Sequence, residues 1–273
     1  MNADPSRALE IAAKYYYWKP MTAFFRSIEM NLYHKSGISF QTPILDLGCG
    51  GGGISYILKE FNLLRGTPYG MDISSTELKK AQLAAEHHTL PQADANSLPF
   101  QNGSFSSIIC NGVLCSIPEG VDQSLVEVKR VLNDGGIFVG TVPTNKFIDI
   151  LIFPKLLNKV SKTLSLSYTE KLNNRLPHYN MYSPQEWNDK FENIGLRIMK
   201  SEMFFSPHAG FIWNILSMQI FRIFGLLKFI RNRRFIDFIG ELLMRTIVKL
   251  YPNERKAGSD YGYVFIVAQK VTQ

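Results

Sequence analysis

An α/β domain built on a mostly parallel, seven-stranded sheet with helices on both faces is the fold class this sequence predicts. Three observations carry it. From Pro43 onward, strand-like and helix-like stretches alternate. The first strand runs into a glycine turn, Gly48-Cys49-Gly50-Gly51-Gly52-Gly53, and then a helix. A chain of 273 residues with 45% apolar content is enough for one such domain with additions of its own.

Taken in order, strands are expected at Ile44–Leu47, Tyr69–Asp72, Thr89–Asp94, Phe105–Asn111, Ile137–Val142, Leu196–Phe204 and Tyr261–Gln269. Between the second and third, Ser74–Glu86 reads as a helix. Its opening Ser74-Ser75-Thr76-Glu77 offers a hydroxyl to free amides and a glutamate three residues on to complete a capping box. Val121–Leu132 places Leu125, Val128 and Leu132 on one helical face and stops at Asn133-Asp134-Gly135-Gly136, a turn into the next strand. Ser183–Asn193 is the last core helix.

Three stretches do not join this alternation, and they set the domain map. Residues 1–42 form an N-terminal helical cap, 43–145 the ligand-binding core, and 146–182 a helical insertion. Core helix and strand resume over 183–205, a second insertion, apolar and basic, covers 206–256, and 257–273 hold the last core strand. The two insertions also account for the formal net charge of +7. Residues 206–256 carry a net +6 and 146–182 a net +4, which leaves the remainder at −3. In both, the basic residues are interleaved with Ile, Leu and Phe, unlike a surface that tracks phosphates, so nucleic acid is not the expected partner. The longest charge-free run there, Ala209–Phe221, is 13 residues, short of the roughly 20 that span a bilayer. Peripheral membrane contact through 206–256, a cap over a lipophilic ligand, and a partner or homodimer contact all fit that pattern. Cys49, Cys110 and Cys115 form no C-x-x-C pair, which argues against a disulfide framework or a zinc ribbon and for a reducing, cytoplasmic compartment. No metal site is expected.

The chemistry sits in Ile44-Leu45-Asp46-Leu47-Gly48-Cys49-Gly50 and the glycines that follow. Gly48, Gly50 and Gly53 satisfy G-x-G-x-x-G, so the loop alone fits a nicotinamide dinucleotide as well as other adenosine cofactors. Open α/β sheets bind ligands at the carboxyl ends of their strands. There Asp72 is placed to accept both ribose hydroxyls, and Asp94 to accept from an adenine amine.

The succession of Asp46-Leu47-Gly48-Cys49-Gly50, Met71-Asp72, Asp94 to Phe100, Phe105 to Pro118 and Val128 to Gly136 resembles the motifs of the class I S-adenosylmethionine-dependent methyltransferases of the ubiquinone/menaquinone type. The resemblance covers residues 43–142 well and the last two strands more loosely. It implies a Rossmann-like sheet with an antiparallel last strand, helical lid insertions and S-adenosylmethionine as cofactor. The methionine end would lie near Asp46, Gly48, Cys49 and Gly50, the ribose at Asp72 beside Ile73, and adenine near Asp94 and Ala95. Asn111, Gly112 and Val113 would stand beside the sulfonium. Where many relatives carry a histidine pair this chain has Cys115-Ser116, so no catalytic role is carried to those positions.

Methyl transfer is an in-line displacement in which positioning supplies much of the acceleration, and a base is needed only where the acceptor must lose a proton. Of the five histidines, His178 is the candidate base, since Pro177–Tyr182 precedes a core helix on the ligand side. His87 and His88 are expected to face solvent, and His34 and His208 lie in the additions. Tyr17 and Trp18 of the N-terminal aromatic run, with Tyr179 and Tyr182, are the candidate acceptor contacts. The acceptor expected from the greasy insertions is small and lipophilic, with oxygen ahead of carbon or nitrogen as the methylated atom. A nicotinamide-dependent oxidoreductase and an inactive, methyltransferase-like adaptor at a membrane or partner are the competing readings.

Overall fold

The computed structural model describes residues 5–16, 19–118, 120–217 and 260–271. One sheet holds β1 (Ile44–Leu47), β2 (Tyr69–Met71), β3 (Phe105–Asn111), β4 (Leu132–Pro143), β5 (Leu196–Phe204) and β6 (Tyr263–Lys270), in the order β2-β1-β3-β4-β6-β5. Pairing is parallel from β2 through β4, and β6 runs antiparallel to both β4 and β5. The Rossmann-like architecture and its antiparallel last strand are therefore as expected, with six strands among the described residues where the sequence predicts seven.

The difference lies at residues 89–94. Gly70 N–H donates to Thr89 O at 3.0 Å and Ala93 N–H to Asp72 O at 3.1 Å, and Asp72 and Gln92 form one isolated parallel bridge. Pro91 stands between those contacts without an N–H to give, so the ladder does not become continuous.

Alternation along the strands splits the core in two. Ile44, Ile109, Val139, Phe265 and Val267 face one layer, and Leu45, Leu47, Ile108, Phe138, Val264 and Ile266 face the other. The second layer takes α5 (Asp122–Val131) and α8 (Pro184–Asn193), whose Trp187 indole N–H reaches Pro143 O at 2.9 Å. On the first layer α3 (Gly53–Glu60) packs with the N-terminal helices α1 (Pro5–Tyr15) and α2 (Pro20–Ser36) and with α9 (Pro207–Leu216). α6 (Ile152–Val160) and α7 (Lys162–Arg175) fill the stretch between β4 and α8. Among the described residues no helix is long and apolar enough to cross a membrane. Residues 218–256, which carry most of the expected basic insertion, lie outside the described residues.

The capping box expected at Ser74 forms by half. Ser74 Oγ accepts from Glu77 N–H, but the Ser74 amide donates to Asp72 Oδ1 at 2.8 Å instead of to the glutamate, as α4 (Ser75–Ala84) begins. The complete box is at Ser183 and Glu186, opening α8.

Strand direction sets the position of the site. The carboxyl ends of β1 to β4 share one edge, and because β6 is antiparallel its first residue, Tyr263, pairs with Pro143 and Phe204 at that same edge. Tyr263 thus joins a ligand edge to which it is distant in sequence.

Candidate functional site

The glycine loop after β1 is tied down from β2. Cys49 N–H donates to Met71 O at 2.9 Å, and Gly50 N–H donates to Asp72 Oδ2 at 2.9 Å while Asp72 Oδ1 accepts from Ser74. Asp72 therefore orients the turn as well as standing at the strand end where a ribose is expected. A Cβ on Gly50 or Gly112 would meet nothing within 4 Å among the described residues, so both loops have room beside them there. Ile73, 67% exposed, offers an uncovered apolar surface beside Asp72. Asp94 is exposed next to buried Ala95, with its Oδ1 accepting the Asn96 amide in a local turn. An acidic residue at the second strand end, an apolar neighbour and an open glycine turn suit an adenosine cofactor.

Gly48 has a stricter requirement. Its φ is +68°, and a Cβ there would lie 2.2 Å from Val113 Cγ2. Gly48→Ala is expected to cost about 1–3 kcal/mol of stability through overpacking and strain, visible as a lowered denaturation midpoint. Val113→Ala in the same chain should recover part of the loss, because it removes the atoms that are struck. Without that recovery, the contact is not the cause.

Asp46 turns inward. Its Oδ2 accepts the Ser55 hydroxyl at 2.6 Å and lies 3.0 Å from His87 Nε2. The His87 side chain is 0% exposed, which corrects the expectation that it faces solvent. The room for it comes from Gly70, whose Cβ would stand 2.6 Å from the imidazole. His88 packs against the Tyr69 ring. Above the loop, Tyr15 donates to Gly51 O, and the Tyr16 hydroxyl occupies the place a Cβ on Gly53 would take. Cys49 is buried, which with nearby Asp46 and Asp72 pushes its thiol well above the usual range.

Next to this loop lies a buried polar cluster, or chamber, built from side chains of α2, β3 and β4. Arg26, Glu29 and Tyr33 fall at i, i+3 and i+7 of α2 and so share one helical face. Arg26 Nη1 donates to Glu29 Oε2 at 2.5 Å, the Thr141 hydroxyl donates to Glu29 Oε1 at 2.5 Å, and Tyr33 OH donates to Asn111 Oδ1 at 2.5 Å. Thr141 and Asn111 are register partners on β4 and β3. Glu29 is 0% exposed, and the Arg26 side chain 19%. Burial works against the Arg26 charge, and the Glu29 carboxylate more than offsets it, holding the guanidinium above its ordinary range. Burial and Glu29 together raise Tyr33 well above the phenol range, so it stays a neutral donor. The Arg26 charge also acts on Tyr16, Tyr263 and Cys115.

His178 closes the far side. Its Nε2 lies 3.3 Å from Tyr263 OH, its Nδ1 is buried without a partner among the described residues, and burial pushes its pKa down to about 4. The segment is sewn to the turn after β3: the Tyr179 and Asn180 amides donate to Cys115 O, and Asn180 Nδ2 donates to Leu114 O and Ile117 O. Phe25, Phe147, Phe205 and Trp213 stack around this pair, with Phe25 and Phe147 ring centroids 4.7 and 5.4 Å from Tyr263.

The structure brings together Gly48, Cys49, Gly50, Asp72, Ile73, Asn111, Gly112 and Val113 around the loop, and places His178 with Tyr263 beside the chamber. It does not bring in the two later tyrosines. Tyr179 is 61% exposed, its amide tied to Cys115 O, and the Tyr182 ring packs on Trp187 and Lys190 of α8. Tyr17 and Trp18 lie outside the described residues. Arg26, Glu29, Tyr33, Thr141 and Tyr263 were not expected. The i, i+3, i+7 spacing on α2 was the available signal.

A family model described as a methyltransferase domain matches residues 45–140. A phthiotriol/phenolphthiotriol dimycocerosates methyltransferase of Mycobacterium leprae (strain TN) is 33% identical over 128 residues, which are 43% of this chain and 45% of that protein. A sterol 24-C-methyltransferase of Gibberella zeae is 32% identical over 118 residues, 40% of this chain and 30% of that one. The matched region is thus less than half the length of either curated relative. Among solved structures, geranyl diphosphate C-methyltransferase from Streptomyces coelicolor A3(2) superposes with a TM-score of 0.57 at 14% identity, covering 93% of this chain and 81% of that one. At that identity the likeness is one of fold.

Proposed function

We propose that the chain, whose residues 45–140 match a methyltransferase-domain model, binds S-adenosylmethionine and transfers its methyl group to an oxygen of a small, lipophilic acceptor. The observation that carries this is Asp72, which stands at the end of β2 and holds the open glycine turn through Gly50. In this reading Asp72 takes the ribose hydroxyls, Asp94 and Ala95 flank adenine, and Gly48, Cys49 and Gly50 border the methionine end. Asn111, Gly112 and Val113 border the transfer point. When bound, the cofactor supplies an electrophilic methyl on a sulfonium.

The lipophilic class is supported by the aromatic wall of Phe25, Phe147, Phe205 and Trp213, and by relatives named for phthiotriol dimycocerosates and sterols. Oxygen is favoured because a proton acceptor stands at the chamber. With its proton on Nε2, His178 donates to the Tyr263 oxygen and leaves Nδ1 as the acceptor. A hydroxyl acceptor would hand its proton to Nδ1 as its oxygen takes the methyl group that the cofactor would supply, leaving the thioether. The helical additions α1, α2, α6, α7 and α9 act as the cover that excludes water. Residues 206–256, through their basic and apolar composition, give the cover its peripheral membrane contact.

Calorimetric titration with S-adenosylhomocysteine, and separately with NADH and NADPH, tests the cofactor. Micromolar binding of S-adenosylhomocysteine alone is expected. Preference for a nicotinamide cofactor, or no binding of any, would sink the reading.

A further inference from the structure

We propose that Arg26 anchors the acceptor through a single ionised oxygen distinct from the hydroxyl that is methylated, so that the substrate class is a lipophilic monoanion, a carboxylate or an acidic hydroxyl on an apolar body. The inference rests on the reading of the chamber as the acceptor site. Among the described residues, two donors there are buried without partners: Arg26 Nε and Asn111 Nδ2. Neither is loose. Glu29 holds Arg26 by Nη1, and Tyr33 donates to Asn111 Oδ1, which leaves the amide nitrogen as the unmatched end. Leaving buried N–H groups unmet costs about 1–3 kcal/mol each, more for a charged group, so a site that keeps two of them beside open loops is built for an acceptor atom. Thr141 and Glu29 connect them, since Thr141 pairs in register with Asn111 and its hydroxyl donates to the carboxylate that Arg26 also binds. The donors therefore belong to one network.

Charge decides how many ionised oxygens fit. Arg26 and Glu29 cancel, while the tyrosines, Cys115 and His178 are neutral near pH 7, because burial raises the first two kinds and lowers the third. The chamber's own groups therefore sum to neutral, the Asp46 carboxylate behind the loop being held by Ser55 and His87, and a bound cofactor's sulfonium would add one positive charge. One negative charge balances it. A phosphate or diphosphate would leave at least one buried charge uncompensated, at a cost of several kcal/mol. A delocalised oxyanion also matches a guanidinium N–H better than a lone alkoxide does.

The test uses the full chain saturated with sinefungin, whose ammonium group stands in for the sulfonium charge, and four matched probes: 4-hexylbenzoate, 4-hexyl-2-nitrophenol, the neutral 4-hexylbenzamide, and the dianion 4-hexylphenyl phosphate. The benzoate and the ionised nitrophenol are expected to bind about 10-fold tighter than the amide and the phosphate, the size of one charge-assisted hydrogen bond. Their order relative to each other distinguishes an anchoring carboxylate from an anchoring phenolate. Arg26→Gln alone leaves Glu29 buried and unpaired, so the decisive variant is the paired R26Q/E29Q, which removes both charges together. There the monoanion preference should fall to about 2-fold or less, and R26K, which keeps the charge but lacks Nε, should lose part of it. Equal binding of amide and benzoate by the unaltered chain, tightest binding of the phosphate, or a preference that survives in R26Q/E29Q would each overturn the proposal. Titration with S-adenosylhomocysteine without probes judges the cofactor separately. A chain that fails it and keeps the monoanion preference retires methyl transfer and leaves the Arg26 site standing.

Discussion

His178→Gln is expected to lower acceptor-dependent kcat by about 10²–10⁴-fold, the usual contribution of a positioned proton acceptor, while affinity for S-adenosylhomocysteine stays within about 2-fold because the imidazole stands with Tyr263, away from Asp72. Glutamine preserves the volume and can still bond Tyr263, so what it removes is the basic nitrogen. The pH profile separates this role from packing. Burial holds His178 near 4, below the ordinary imidazole value of about 6.5. Above about pH 6.5 the residue is neutral both folded and unfolded, and it contributes no pH dependence. As pH falls toward 4 the unfolded chain takes up the proton first, so folded stability is lost through that window. Turnover by the unaltered chain should accordingly persist through pH 5–6 and decline only near 4, and His178→Gln should lose less stability over the same interval. A variant with unchanged kcat and altered acid stability alone would make His178 a packing residue, with the acceptor proton leaving by another path.

Much of the cofactor side was legible because its signals are local. Strand period, a glycine turn at the first strand end and an acidic residue ending the second are all contained in a few consecutive residues, and they hold in the structure. The expected strand at 89–94 failed on one residue, Pro91, whose missing N–H outweighs a favourable apolar pattern. His87 was misjudged because two glycines distant in sequence, at 52 and 70, create the space it enters. The acceptor side was harder for a different reason. Arg26 and Glu29 read as charges on a helix surface, and only pairing with each other and with Thr141, 112 residues beyond Glu29, makes their burial tolerable. Tyr263 is brought to the ligand edge by an antiparallel last strand, a fact of topology and not of spacing. The tyrosines at 179 and 182 show the converse, since proximity in sequence to His178 does not give them its orientation.

Asp72→Ala should weaken S-adenosylhomocysteine binding by at least 10-fold and by about 100-fold where both ribose hydroxyls are held, at about 1.5–3 kcal/mol for each hydrogen bond to a charged group. Two losses combine in that figure. The carboxylate that would meet the ribose is gone, and so is the acceptor for the Gly50 and Ser74 amides, which keep the glycine turn and the start of α4 in register. Asp72→Asn separates them. Its amide presents one oxygen where the carboxylate presents two, so one backbone donor can still be met while the ribose loses charge-assisted partners. If turn geometry dominates, Asp72→Asn should recover most of the affinity and most of the thermal stability lost in Asp72→Ala. If ribose contact dominates, stability should recover and affinity should stay low. Affinity unchanged in both variants would remove Asp72 from the cofactor site, and with it the observation on which methyl transfer is proposed.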